Sequence, residues 1–202
     1  MGKVYEKQGK NEEAIKMYEK AITEPVANIS AYYYLGCIYE KQKEFKKAIP
    51  LFKLCLLKDN EHFGACIHLA TLLANANEPH KAAKYFKHAL KLDQNSVAAS
   101  FGLGKILHST SENIDAPIQY YKFVTEHDPK HFKAFCQLGI VYLEKGELEK
   151  AADYLKQCLQ VNPKYVLGLV SMGNLLFETG HSKTAAKYHK QALLYNKNEI
   201  QA

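Results

Sequence analysis

Nine histidines and five cysteines are the residues of this 202-residue chain best suited to chemistry. A metal site needs several of them converging at helical or turn spacing. His127 and His131 are four apart, but Asp128-Pro129 lies between them and breaks any shared helix face. His62 and His68 are separated by a helix start in the same way. Cys37, Cys55, Cys66, Cys136 and Cys158 are odd in number, widely spaced and without a CxxC pair. That is the pattern of reduced intracellular thiols, not of a disulfide framework. Cys55, Cys66 and Cys158 fall at core spacing, as small buried hydrophobes. Cys37 and Cys136 are expected to be accessible, but a nucleophilic thiol needs a base beside it and none is implied. Glu12-Glu13, Glu147 and Glu149 sit at helix starts, where carboxylates favour the dipole. No phosphate-cradling glycine loop occurs. The chain is therefore expected to be no enzyme and to hold no cofactor and no metal.

Charge points toward proteins as partners. The net charge of +6 is carried by lysine alone, since the chain has no arginine. Arginine is the usual bidentate reader of guanine and phosphate, so specific nucleic-acid recognition is not expected. Apolar residues make up 47% of the chain, enough to bury a core. No apolar run is long enough to span a membrane, and no charged-then-apolar leader is visible. Membrane insertion is not expected, and a reducing cytoplasmic location is.

The elements that must position any site follow from a repeat. A small residue after an apolar one recurs at Gly2, Gly36, Ala70, Gly104, Gly139 and Gly173, with spacings of 34, 34, 34, 35 and 34. A second ladder, Ala14, Ala48, Ala82, Ala116, Ala151 and Ala185, repeats the same intervals. Within a unit, Tyr32, Leu35, Gly36 and Tyr39 share one helical face, and Ala48, Phe52 and Cys55 share another. A Gly or Ala at a helix crossing lets two axes approach, and a large side chain one turn away fills the space beside it. Glycines at 9, 146 and 180 suit helix C-termini. Pro79 suits a first turn, and Asp59-Asn60, Asp93-Gln94-Asn95, Asp128-Pro129 and Asn162-Pro163 read as stops and new N-caps.

The succession of Leu-Gly-Tyr, a glycine turn, Ala, an aromatic, Ala and Pro resembles the tetratricopeptide repeat, most fully from Phe135 to Pro163. The resemblance covers essentially the whole chain. It implies an all-α, right-handed α-α superhelix of six helix-turn-helix repeats, near 1–28, 29–62, 63–96, 97–131, 132–165 and 166–199, and binding of a protein or peptide. The first repeat lacks the opening turn of its first helix, and the last stops where a new helix would begin. The 202 residues are thus expected to be one array excerpted from a longer protein, or one that caps its ends as a homodimer.

Two departures carry expectations. The 35-residue interval holds one extra residue, placed either in the turn Ser109–Asn113 or inside the following helix. The turn is favoured, since a residue added within a helix rotates the rest by about 100°. Pro117 and Tyr121 then take the Ala and aromatic places; otherwise Ala116 and Tyr120 do. Pro50 is expected to kink or delay its helix.

In the family the first helix of each unit lines the inner groove. Carried onto this chain, that implies Tyr33 and Cys37, Ile67 and Thr71, Phe101 and Lys105, Cys136 and Ile140, and Val170 and Asn174. Glu40 and His108 lie one turn further on. Such a mixed, partly apolar groove suits a helix or extended peptide with hydrophobic anchors. The carboxylate clamp of chaperone-binding members is not recognisable, because the equivalent places hold Tyr33, Cys37, His68, Lys133 and Gln137. The asparagine ladder of O-linked sugar transferases is also missing, with Tyr34, His68, Gly102, Gln137 and Ser171 in its places. The chain is expected to be a non-enzymatic scaffold within a multiprotein assembly. Its alternatives are a substrate-recruiting arm of a larger enzyme or a self-associating structural segment.

Overall fold

The computed structural model describes residues 1–23 and 28–200, the last four of these by their backbone alone. Among the described residues it contains twelve α-helices and no strand: α1 (Gly2–Lys7), α2 (Asn11–Thr23), α3 (Ile29–Lys41), α4 (Phe45–Lys58), α5 (Phe63–Asn75), α6 (Pro79–Leu92), α7 (Val97–Thr110), α8 (Ile118–His127), α9 (Phe132–Glu144), α10 (Leu148–Val161), α11 (Val166–Glu178) and α12 (Ser182–Ile200). They form six consecutive pairs of a first and a second helix. Contacts divide the chain into two compact units, Met1–Gly102 and Leu103 onward, with the division inside α7.

Each unit is built from the same local rules. A first helix ends by placing one residue in the left-handed region: Gly9, Gly146 and Gly180, or Lys43 (φ 61°) and Asn77 (φ 59°). The next amide then reaches back to the carbonyl five residues earlier, as Glu44 does to Tyr39 at 2.8 Å and Glu147 to Tyr142 at 2.9 Å. These bonds satisfy carbonyls that the helix end would otherwise leave unpaired. Second helices stop at Asp59, Asp93, Asp128 and Asn162. There the side-chain oxygen accepts from the amide two residues on, at 2.9–3.2 Å. These residues are stops but not the new N-caps. That part falls three residues later to His62, Ser96 and His131, whose side chains each accept from an amide three further on at 3.1 Å.

Packing follows the small-residue ladder. A Cβ on Gly36 would lie 2.9 Å from the Phe52 ring, and one on Gly104 would lie 2.7 Å from Tyr121. A Cβ on Gly139 would lie 2.6 Å from Leu155. Phe52, Tyr121 and Leu155 are fully buried, and burial of such a side chain stabilises by roughly 1.5–3 kcal/mol. First helices pack on their own second helices, as α3 on α4, α5 on α6, α9 on α10 and α11 on α12. Second helices also touch the next first helix.

The extra residue lies in the turn. Helix α7 ends at Thr110 and α8 begins only at Ile118, while Pro117 and Tyr121 fill the buried Ala and aromatic places. Helix α8 is ten residues long against fourteen for α4, α6 and α10. The cause is Pro117. At its place Ala48, Ala82, Ala151 and Ala185 donate the amide bond that closes the first helical turn, at 3.0–3.1 Å. Proline has no such amide. Pro50, in contrast, does not delay α4, which starts at Phe45 and runs unbroken to Lys58. The last helix, α12, continues to Ile200. The expected start of a new helix at the chain end reaches residues 201–202, which lie outside the described residues.

Candidate functional site

The expected inner-face residues separate into three rows, set by where each falls on its first helix. The row of Tyr33, Ile67, Phe101, Cys136 and Val170 is one seam-facing register of the repeat. In the first unit, the Tyr33 ring lies against α5. Its centroid is 4.5 Å from that of His62 and 5.7 Å from that of His68. Its hydroxyl sits where a Cβ on Gly64 would come within 2.8 Å. In the second unit, Cys136 is 0% exposed and hydrogen-bonds Cys158 and Ser171. Cys136 is therefore not an accessible groove thiol. Its register points between α9, α10 and α11, and the bond to Cys158 together with burial pushes its thiol up. Val170 lines a small cavity with His189 and Leu193 of α12. Ile67 and Phe101 are half-buried.

The second row is open. Thr71, Lys105 and Asn174 are exposed, and Cys37 and Ile140 are half-buried. Only Thr71, Lys105 and Asn174 of this register leave their side chains mostly in solvent. The third row makes polar bridges between neighbouring first helices. Glu40 of α3 meets His68 of α5 at 2.5 Å. In the second unit, His108 of α7 meets Gln137 of α9 at 3.3 Å and Glu144 at 3.0 Å. Glu40 and His108 hold the same repeat place, as do His68 and Gln137. The two bridges are thus one device used twice.

In the first unit these rows enclose a cavity of about 400 Å³ lined by Glu6, Tyr33, Tyr34, Cys37, Glu40, Lys41 and His68. Cys, His and Glu together suggest a nucleophilic triad, and the chemistry does not support one. Burial is the main cause that pushes the Cys37 thiol up to about 11, with the Tyr33 hydroxyl hydrogen-bonded to it. The thiol is protonated at neutral pH, and an unactivated thiol is a poor nucleophile. His68 is engaged by Glu40 and stacked on Phe52, with ring centroids 5.3 Å apart. Among the described residues no group of three His, Cys, Asp or Glu side chains is placed to hold a metal. None of the described helices is long and apolar enough to cross a membrane.

Sequence reasoning did not select Glu6, Lys41 or Glu144 for this face, and it met Gln137 only as a place where a family signature is missing. The signal for the bridges was available as a spacing. Residues 40 and 68 are 28 apart and residues 108 and 137 are 29 apart. The difference is the one extra residue of the longer repeat.

No curated protein sequence matches the chain. Solved structures do. YrrB, a TPR protein with an unusual peptide-binding site, is similar with 28% identity and a TM-score of 0.74, over 83% of this chain and 86% of that one. MamA from Desulfovibrio magneticus RS-1 is similar with 18% identity and a TM-score of 0.74, over 84% and 96%. PilF of Pseudomonas aeruginosa is similar with 21% identity and a TM-score of 0.72, over 83% and 76%. The last two likenesses show the fold alone. Models of the tetratricopeptide repeat match residues 29–62, 68–122 and 132–165, and a TPR repeat model matches residues 2–43. With six helix pairs on a 34-residue interval and these matches along its length, the chain belongs to the tetratricopeptide repeat family.

Proposed function

We propose that this chain is a non-catalytic interaction scaffold that holds a peptide or helix of a partner protein on the open face of its first helices, within a larger assembly. The observation that carries this is the cavity beneath α1, α3 and α5. It is large enough for an anchoring side chain, with apolar walls from Tyr33 and Tyr34 and charged points at Glu6, Glu40 and Lys41. The polar bridges Glu40–His68 and His108–Gln137 stiffen neighbouring first helices, so the face is formed before a ligand arrives. The peptide-binding site of YrrB, a relative of the same fold, supports a ligand of this class.

The test is to select binders from a random peptide library on the intact chain and to measure them against Lys41→Glu, at the cavity, and Thr71→Arg, beside it on the same face. Both positions carry little of the core, so helicity and melting temperature should be kept. Binding of the selected peptides should fall by at least about tenfold, or 1.4 kcal/mol. Peptides that bind both variants as well as the parent chain would remove the open face from the account.

A further inference from the structure

The second helices carry a feature that the first-helix face does not use. Between α4 and α6 lies an open cavity of about 720 Å³. Its floor is Leu56, Leu57, Leu73 and Tyr85, and its rim is Lys53, Lys81 and Lys84. Leu57 is 78% exposed. The repeat itself supplies the reference for how unusual that is. Counted from the alanine ladder, with Pro117 in the alanine place of α8, the same place holds Thr23, Lys91, Glu126 and Gln160 in other second helices, and Leu194 in the last. The middle pairs thus put a polar group where α4 puts a leucine into water.

An exposed apolar side chain over an apolar cavity marks a contact surface. Its charged rim identifies the occupant. Lys81 is paired with Glu78, but Lys53 and Lys84 add two further positive charges around the same opening. A rim of this sign attracts acidic groups and repels basic ones, while the floor takes apolar side chains. We propose that the α4–α6 cavity is a second docking site, for an acidic partner segment that places leucine-like side chains on Leu57 and carboxylates on Lys53 and Lys84. This site is formed by the second helices α4 and α6 with Leu73 of α5 beneath them, and it shares no lining residue with the cavity of the peptide face proposed above.

The probe is a labelled, short helical peptide with leucine on one face and glutamate on the others. Its control is the same peptide with lysine in place of glutamate. Anisotropy titrations use the intact chain, and methyl NMR locates the contact. The glutamate peptide should shift the methyl signals of Leu56, Leu57 and Leu73, and it should weaken as salt rises. Leu57→Glu and the pair Lys53→Glu/Lys84→Glu should each weaken it by at least about tenfold. These positions are on the surface, and circular dichroism should confirm unchanged helicity. Thr71→Arg should leave this binding intact, which separates the two sites. The proposal is overturned if the lysine peptide binds equally well or if Leu57→Glu has no effect. It is also overturned if the same methyl signals shift with protein concentration alone, because a second copy of the chain would then cover the cavity.

Discussion

At the scale of single residues, most of the chemistry of this chain is spent on ending and starting helices. Lys43 occupies the left-handed turn position that glycine holds at 9, 146 and 180. A non-glycine side chain there costs roughly 1–2 kcal/mol, part of which glycine gives back as extra freedom in the unfolded chain. Lys43→Gly should therefore raise stability by about 0.5–1 kcal/mol in urea denaturation. No gain would mean that other contacts of Lys43 balance the strain. His131 is a second case. Its Nδ1 accepts from the Ala134 amide, so the cap requires a neutral ring. Burial lowers its pKa, Lys133 adds to that, and Asp128 opposes it. For a histidine held neutral by the fold, the contribution is complete above the unfolded value of about 6.5 and is lost as pH falls through the lower folded value. The parent chain should lose about 0.5–2 kcal/mol, the worth of an N-cap, between neutral and acidic pH. His131→Asn keeps a capping oxygen without titrating and should not share that loss. Parallel pH profiles for the two proteins would contradict this account. Neither residue was legible beforehand as a cap or a strained turn. A histidine N-cap and a lysine in the left-handed region are uncommon uses of those residue types, and only neighbouring backbone geometry shows them.

At the scale of the helix, the small residue of each crossing was readable from the sequence because its ladder and the alanine ladder share one interval. The physical reason is visible at Gly139, where an added methyl would lie 2.6 Å from the Leu155 branch point. Leu155 is fully buried and has nowhere to retreat. Gly139→Ala should cost about 1–3 kcal/mol by overpacking. In a double-mutant cycle Leu155→Ala should relieve part of that cost, so the two changes should not add. Strict additivity would mean that the two side chains do not share the space. The short α8 was only half legible. The placement of the extra residue followed from helical rotation, but the loss of the first turn needed Pro117 to be seen in the place where alanine amides close that turn. At Pro50, of the two expected effects, the delay does not occur, since α4 starts at Phe45 ahead of the proline. Cys136 was expected to be accessible and is buried, because helical periodicity separates core from surface but not open surface from a seam. Tyr33 and Cys136 show that their register faces the next helix pair, and that is a property of stacking.

At the scale of the whole molecule, the family, the all-helical class and the helix pairs were legible because a repeat states its own structure several times. The ligand was not. A solenoid ligand meets side chains from several helices, each contributing one exposed residue per repeat, and no local pattern marks such a residue as a contact. Thr71, Lys105 and Asn174 are three unrelated residue types joined only by their register. The +6 charge likewise describes the chain as a whole, while its use depends on where lysines lie beside apolar surface, as at Lys53 and Lys84. The central claim is that the open first-helix row is where a partner peptide is held. Its most direct test is site-specific photo-crosslinking of a library-selected peptide, with the photoreactive side chain placed at Cys37, at Thr71, and at the exposed second-helix positions Lys87 and Gln157 as controls. The account predicts crosslinks from 37 and 71 that unlabelled peptide competes away, and none from 87 or 157. Crosslinks confined to the second helices would contradict it.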